Sequence, residues 1–272
     1  MAVSSEHRLV ADYRIVRRLG EGSYGSCYLA WTPDRLDTDA EHVALKVMAR
    51  NTTDEDFQRV AAELAVVAGV GSPQLVRLFD VGHQDGLLFI ASEYLVGGSL
   101  ATPARPLSRD EVLGAVADAA RGAHALHDAG LAHRDIKPAN VMLRPSGAAL
   151  GDLGLAHILN PGMTVTGTGP IVAIEYVDPT VLQGEPASRA SDIWSLGVTL
   201  HRALTGRGVY GELREGSVMA AIRTVLGGTP ELDPELYDDV RDVIAGCLSP
   251  DPADRLATAS ALADRIDALV AA

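Results

Sequence analysis

Within eight positions, His133 to Asn140 (HRDIKPAN), the chain sets an imidazole, a guanidinium, a carboxylate, an ammonium and a carboxamide between the apolar flanks LA and VML. Asp135 can accept a proton from a hydroxyl group, or orient that hydroxyl for attack. Lys137 can offset charge developing on a phosphate, and Asn140 can present its carbonyl oxygen to Mg²⁺. Downstream, GDLG puts Asp152 just after another apolar run, as a second hard oxygen donor. Two oxygen donors without a His/Cys cluster suit a magnesium ion held jointly with phosphates.

Two further stretches bear on a phosphate site. GEGSYG, with Gly20, Gly22 and Gly25, lies between two strand-like runs, so its backbone amides can lie over a nucleotide's phosphates where side chains would intrude. By itself it fits an ordinary glycine-rich hairpin equally well. A dinucleotide fingerprint would need a helix after the glycines and an acid about 20 residues on, and here another strand follows. In VALK, Lys46 lies inside an apolar strand, where burying an unpaired ammonium costs several kcal/mol, so it needs an anion. Glu63, in a helical run, is a natural partner; the alternative is a solvated charge at a strand edge.

These residues must be positioned by two kinds of structure. Residues 13–31 read as two strands joined by the glycine turn, 43–48 as a third, and LVRLFDVG and LLFIASEY as two more around the turn HQDG. Asp54 to Gly69 has apolar positions at helical spacing and acids in its first turn. The expectation is a five-strand, one-helix region ending near Leu95. After Gly97 and Gly98 the pattern turns helical: SRDEVLGAVADAARGAHALHDAG is one long helix, with Ser108 as N-cap, Glu111 at the capping-box position and Gly130 at its end. Further helices are expected at 188–205, 215–226, 235–247 and 256–270, after an irregular segment long enough to be functional. The fold class is therefore α+β.

Composition narrows the partners. The chain has 272 residues, enough for one large domain or two lobes, and at 47% apolar and 22% charged it is too apolar to be disordered. A formal charge of −13 argues against a nucleic-acid partner, which requires a surplus of Lys and Arg on one face. The N-terminal residues lack the apolar region of a signal peptide, and no stretch approaches 18 uncharged apolar residues, so no membrane segment is expected. The two cysteines, Cys27 and Cys247, are far apart and at no metal-binding spacing, which fits a reducing cytoplasm.

Taken in order, GEGSYG, VALK, Glu63, EYLVGGSL, HRDIKPAN, DLG and SDIWSLGV resemble the catalytic domain of eukaryotic-like (Hanks-type) serine/threonine protein kinases of the bacterial kind, from about residue 13 to 270. The resemblance implies a two-lobed fold, with residues 1–95 as the nucleotide-binding lobe and 96–272 as the catalytic and substrate lobe. It implies ATP with Mg²⁺, or Mn²⁺, as cofactors, and a protein substrate phosphorylated on Ser or Thr. ATP would lie under Leu19 and Cys27, with Gly20, Gly22 and Gly25 over its phosphates and Ala44 and Met142 on either side of the adenine. Glu93 and Leu95 would offer backbone hydrogen bonds to it, and Ser92 would be a small gatekeeper. Lys46 would contact the α and β phosphates and pair with Glu63. Asn140 and Asp152 would hold the metal, and Asp135 would position the substrate hydroxyl. Lys137 is the serine/threonine-type feature. Val67, Leu78, His133 and Leu153 would stack through the two lobes.

The resemblance also exposes departures. Leu153 stands where the family usually has phenylalanine. In IVAIEYVDPT, Ala173 stands where a threonine normally bonds to the aspartate and lysine of the HRDIK stretch, and Thr180 where a glutamate normally pairs with an arginine, here Arg255. Asp178 is the candidate to replace that glutamate. Arg134 implies control by phosphorylation of a loop in which Thr164, Thr166 and Thr168 are the candidate sites, and hence autophosphorylation with possible self-association. The alternatives are a nucleotide-binding, pseudokinase-like scaffold of weak activity, or a small-molecule phosphotransferase.

Overall fold

A computed structural model describes residues 9–22, 25–48, 53–153, 171–213 and 217–271. The chain divides into two compact units, one running to Gly69 and including Arg77–Tyr94, the other containing Val70–Val76 and most of the chain from Leu95 onward.

The first unit is an antiparallel sheet with one helix. The five expected strands are present: β2 (Tyr13–Gly22), β3 (Gly25–Trp31), β4 (His42–Met48), β5 (Leu78–Gln84) and β6 (Leu87–Glu93). A two-residue strand, β1 (Leu9–Val10), adds to the edge, giving the order β1-β2-β3-β4-β6-β5. It is too short to carry a periodic signal. Alternation along β4 sorts the faces: Val43 and Leu45 are fully buried and join Val10, Tyr13, Ala30, Phe89 and Ala91 in an apolar cluster. Ala44 and Lys46 therefore belong to the opposite face. Tyr13 stacks edge-on to Phe89 at 5.6 Å, and its hydroxyl donates to Asp80 at 2.7 Å. Gly25 has φ +149°, and a Cβ there would lie 2.0 Å from the Val47 carbonyl oxygen, so the strand entry admits only glycine. Helix α1 (Asp54–Val70) starts on a reciprocal Thr53–Asp56 pair and buries Val60, Leu64 and Val67 along one stripe.

The second unit is helical around α2 (Arg109–Asp128). Its N-terminus is the expected capping box: Ser108 accepts from the Glu111 amide, and the Glu111 carboxylate accepts from the Ser108 amide. Gly130 follows the cap residue Ala129 at φ +79°. A hairpin, β7 (Val141–Leu143) and β8 (Ala148–Leu150), packs on α2, where Asp118 accepts from the Ala148 amide at 2.9 Å. After a short helix α3 (Pro179–Leu182) come α4 (Arg189–Thr205), α5 (Val218–Gly227), α6 (Asp238–Ala245) and α7 (Ala259–Ala271). The last three begin three residues later than periodicity suggests. For α5 the reason is a cap: Ser217 accepts from the Ala220 amide, and the first turn must follow that residue. Helix α4 buries eleven residues, from Ser191 to His201.

Candidate active site

In the first unit the nucleotide candidates share the sheet. Gly20 pairs with Cys27 and Gly22 with Gly25 across β2 and β3, and Leu19 lies in the same part of β2. Lys46 sits between Cys27 on β3 and Ile90 on β6, and Ala44 between Leu29 and Ser92. Directly opposed residues share a face, so Cys27, Ala44, Lys46 and Ser92 lie on the face away from the Tyr13 cluster. Ser92 Oγ is 3.5 Å from the Ala44 carbonyl oxygen, and the Glu93 amide donates to the Arg77 carbonyl at 2.8 Å. Glu63 borders the buried stripe of α1, next to Leu64. Val67 is 9% exposed and Leu78 begins β5 opposite Ser92.

In the second unit, residues 133–140 form a loop held from beneath by Asp192. This carboxylate, 1% exposed near the start of α4, accepts from the His133 amide at 2.7 Å, the Arg134 amide at 2.9 Å and His127 Nε2 at 2.8 Å. Three donors satisfy a buried charge that would otherwise be costly. The imidazole of His133 is itself committed. Its Nε2 donates to the Gly151 carbonyl at 3.0 Å, while Nδ1 accepts from the Asp135 amide at 3.4 Å. Burial pushes its pKa below the usual range, against the pull of Asp192, so it is a neutral packing residue rather than a base.

Above this base, Lys137 Nζ donates to both oxygens of Asp135, at 2.8 and 2.7 Å. Asn140 Nδ2 donates to the Asp135 carbonyl at 2.7 Å and to Oδ2 at 3.0 Å. Asp135 keeps 31% side-chain exposure, so its carboxylate is oriented and still reachable. With its amide nitrogen turned to Asp135, Asn140 has its oxygen left as an acceptor. The Asn140 backbone carbonyl accepts from the Gly151 amide at 2.8 Å, which ties the 3-10 turn Pro138–Asn140 to the residue before Asp152. Arg134 and Asp152 both adopt left-handed backbone, at φ +71° and +59°, a strain of about 1–2 kcal/mol each that surrounding bonds must hold. Met142 lies mid-strand in β7, and Leu95 and Leu153 are 8% and 9% exposed.

Asn140 and Asp152 are the candidate metal donors. Among the described residues no three His, Cys, Asp or Glu side chains converge as a cage, so a cation on Asn140 and Asp152 needs further oxygens from a ligand. Phosphates supply such oxygens.

The stretch of departures resolves differently from its sequence. Arg255 is fully engaged: its guanidinium makes two hydrogen bonds to Asp178, with Nη2 to Oδ1 at 3.2 Å and a shorter contact from Nη1 to Oδ2. It also donates to the Ala190 and Ser249 carbonyls, both at 2.9 Å, and lies 5.0 Å over the Trp194 ring. Both side chains of the ion pair are 1% exposed. Asp178 thus replaces the glutamate missing at Thr180, whose amide instead donates to Asp178 Oδ1 at 2.9 Å. Ala173 has no such substitute among its own atoms, since a methyl group cannot bond to Asp135 or Lys137. Thr164, Thr166 and Thr168 lie outside the described residues.

Sequence reading missed Asp192, His127 and the pair Glu175–Arg202. The signal for Asp192 was available: an acid opening the apolar run DIWSLGV must be exposed or paired several times over.

The protein kinase domain family matches residues 13–265, and the chain belongs to that family, in its eukaryotic-like serine/threonine branch. It is 33% identical over 270 residues to the serine/threonine-protein kinase PknJ of Mycobacterium tuberculosis, covering 93% of this chain and 44% of that one. It is 29% identical over 262 residues to the serine/threonine-protein kinase PrkC of Bacillus subtilis, covering 93% and 39%. The human serine/threonine-protein kinase Nek5 is 30% identical over 201 residues, 71% of this chain and 28% of that one. The chain spans less than half the length of these relatives.

Proposed function

We propose that this chain is an ATP- and Mg²⁺-dependent protein kinase that transfers a phosphoryl group to Ser or Thr of a protein, and to itself. The observation that carries the reading is the Asp135 carboxylate, oriented by Lys137 and Asn140 on a loop whose backbone is fixed by buried Asp192. In this reading Asp135 accepts the hydrogen bond of the attacking hydroxyl and points its lone pair at the phosphorus. Lys137 stays beside that carboxylate and stabilises charge growing on the transferred group. Lys46 grips the α and β phosphates from the sheet face, with Glu63 as its counter-ion, and the amides around Gly20, Gly22 and Gly25 cover them. Asn140 and Asp152 would hold the Mg²⁺, which supplies charge neutralisation on the phosphates. Mn²⁺ has the same oxygen preference. Residues 1–95 and 96–272 serve as nucleotide and substrate lobes in this reading, with a cytoplasmic site of action.

The test is transfer from labelled ATP with Mg²⁺ to a mixed protein substrate and to the chain itself. Asp135→Asn is expected to lower transfer by about 10³-fold or more while leaving the fold intact. Equal labelling by wild type and variant sinks the reading. Ala173 favours a second one, a weakly active nucleotide-binding scaffold, because a hydrogen bond to the Asp135–Lys137 pair is missing. If that is the limiting defect, Ala173→Thr raises transfer by about two- to tenfold, the value of one neutral hydrogen bond.

A further inference from the structure

Helix α4 connects three points that the kinase reading places near the substrate. Asp192, near its start, anchors the 133–135 backbone. One turn on, Ser195 Oγ donates at 2.7 Å to the Tyr176 carbonyl at the end of the 3-10 segment Ile171–Tyr176. Two turns beyond that, Arg202 reaches Glu175 of the same segment.

The Arg202 guanidinium is poorly used there. Its one ion-pair contact among the described residues is Nη1 to Glu175 Oε1 at 3.5 Å, and that oxygen is buried without a hydrogen-bond donor. Gly208 leaves room for both side chains: a Cβ there would come within 2.3 Å of Glu175 Oε2 and 3.2 Å of Arg202 Nη1. Glu175 is 1% exposed at its side chain and Arg202 32%. By contrast, Arg255 is saturated with acceptors. Arg202 thus offers several N–H donors and a charge only weakly matched, at a partly open position.

We propose that Arg202 reads an anionic side chain on the protein substrate, so that phosphorylated sequences carry an acidic or already phosphorylated residue close to the acceptor. From Asp192 to Arg202 the helix rises about 15 Å, a span that about five residues of extended peptide cover. The anion therefore lies within about five residues of the acceptor hydroxyl. The proposal rests on the kinase reading and names its substrate class.

The experiment uses the full chain, Mg·ATP and peptides in which each position around Ser or Thr carries Asp, phosphoserine, Ala or Lys. One position is expected to favour Asp or phosphoserine over Lys by about tenfold, as a charge-assisted hydrogen bond would give. Phosphoserine above Asp identifies phosphate as the preferred anion. Arg202→Glu turns the preference toward Lys at that same position, while Arg223→Gln, which removes an exposed guanidinium from α5, leaves it unchanged. Absence of any acidic preference in the wild type, or its survival in Arg202→Glu, overturns the proposal. Should Arg202→Glu melt early by circular dichroism, anisotropy titration of the wild type with fluorescent Asp and Lys peptides decides, and equal affinities overturn it. A chain that phosphorylates peptides without charge preference defeats this proposal alone. One that transfers nothing, even to itself, defeats the kinase reading as well.

Discussion

At Arg255 the loss of a family glutamate has been absorbed by a carboxylate two residues upstream. The bidentate contact with Asp178, the two carbonyl acceptors and the Trp194 ring leave the cation no unmet need. Breaking a buried pair by deleting one member costs about 3–5 kcal/mol, because a charge is stranded. Asp178→Ala is therefore expected to lower the unfolding free energy in urea by that amount, and adding Thr180→Glu to it to recover a part. Thr180→Glu alone should bring no gain, since Arg255 is already paired; a gain above 1 kcal/mol, about the worth of one hydrogen bond, would contradict the geometry. Glu175 poses the opposite case. Burial raises its carboxyl pKa from the usual 4.5, and Arg202 only partly opposes this. A folded-state pKa above the unfolded one gives stability that is full below the unfolded value and is lost as pH rises through the folded value. Glu175→Gln should thus stabilise the chain at about pH 8, with the advantage over wild type shrinking as the pH falls toward 4.5. A melting-temperature gap that stays constant across this range counts against it. His133 and His201, whose pKa values burial lowers, act in both proteins and cancel from the difference.

Helix ends and strand faces were the most legible elements. Ser108 and Glu111 stand three residues apart before an amphipathic run, and the structure forms the reciprocal cap they announce. Ser108→Ala should cost about 1 kcal/mol of unfolding free energy, measured in urea, and a loss below about 0.3 kcal/mol would mean the cap is replaced by water. The strands of the first sheet were equally readable, because alternation sorts Val43 and Leu45 from Ala44 and Lys46. Less was visible in β1 and α3, which are two and four residues long and too short for any period to register. The start of α7 was misplaced because Leu256 and Ala257, apolar residues before its cap, mimic an extra turn. Thr258, accepting from the Ala261 amide at 3.0 Å, marks the true entry of α7.

For the whole molecule, net charge is the plainest constraint. At −13 the chain repels polyanions, so it is expected to pass through a heparin column at low salt near pH 7; retention that salt then releases would reveal a basic face hidden by the total. Among the described residues no helix is long and apolar enough to cross a membrane. The sequence by itself determined the family and the order of its motifs, HRDIKPAN among them, because residue type and spacing are local properties that survive without a structure. It also showed where the pattern breaks, at Ala173 and Thr180. Only the tertiary structure decided what the break at Thr180 means. Arg255 lies 77 residues from Asp178, and Arg202 reaches Glu175 only because α4 passes beneath the 171–176 segment. Which carboxylate meets which guanidinium, and how well, depends on packing between elements distant in the chain. Periodicity carries no record of that.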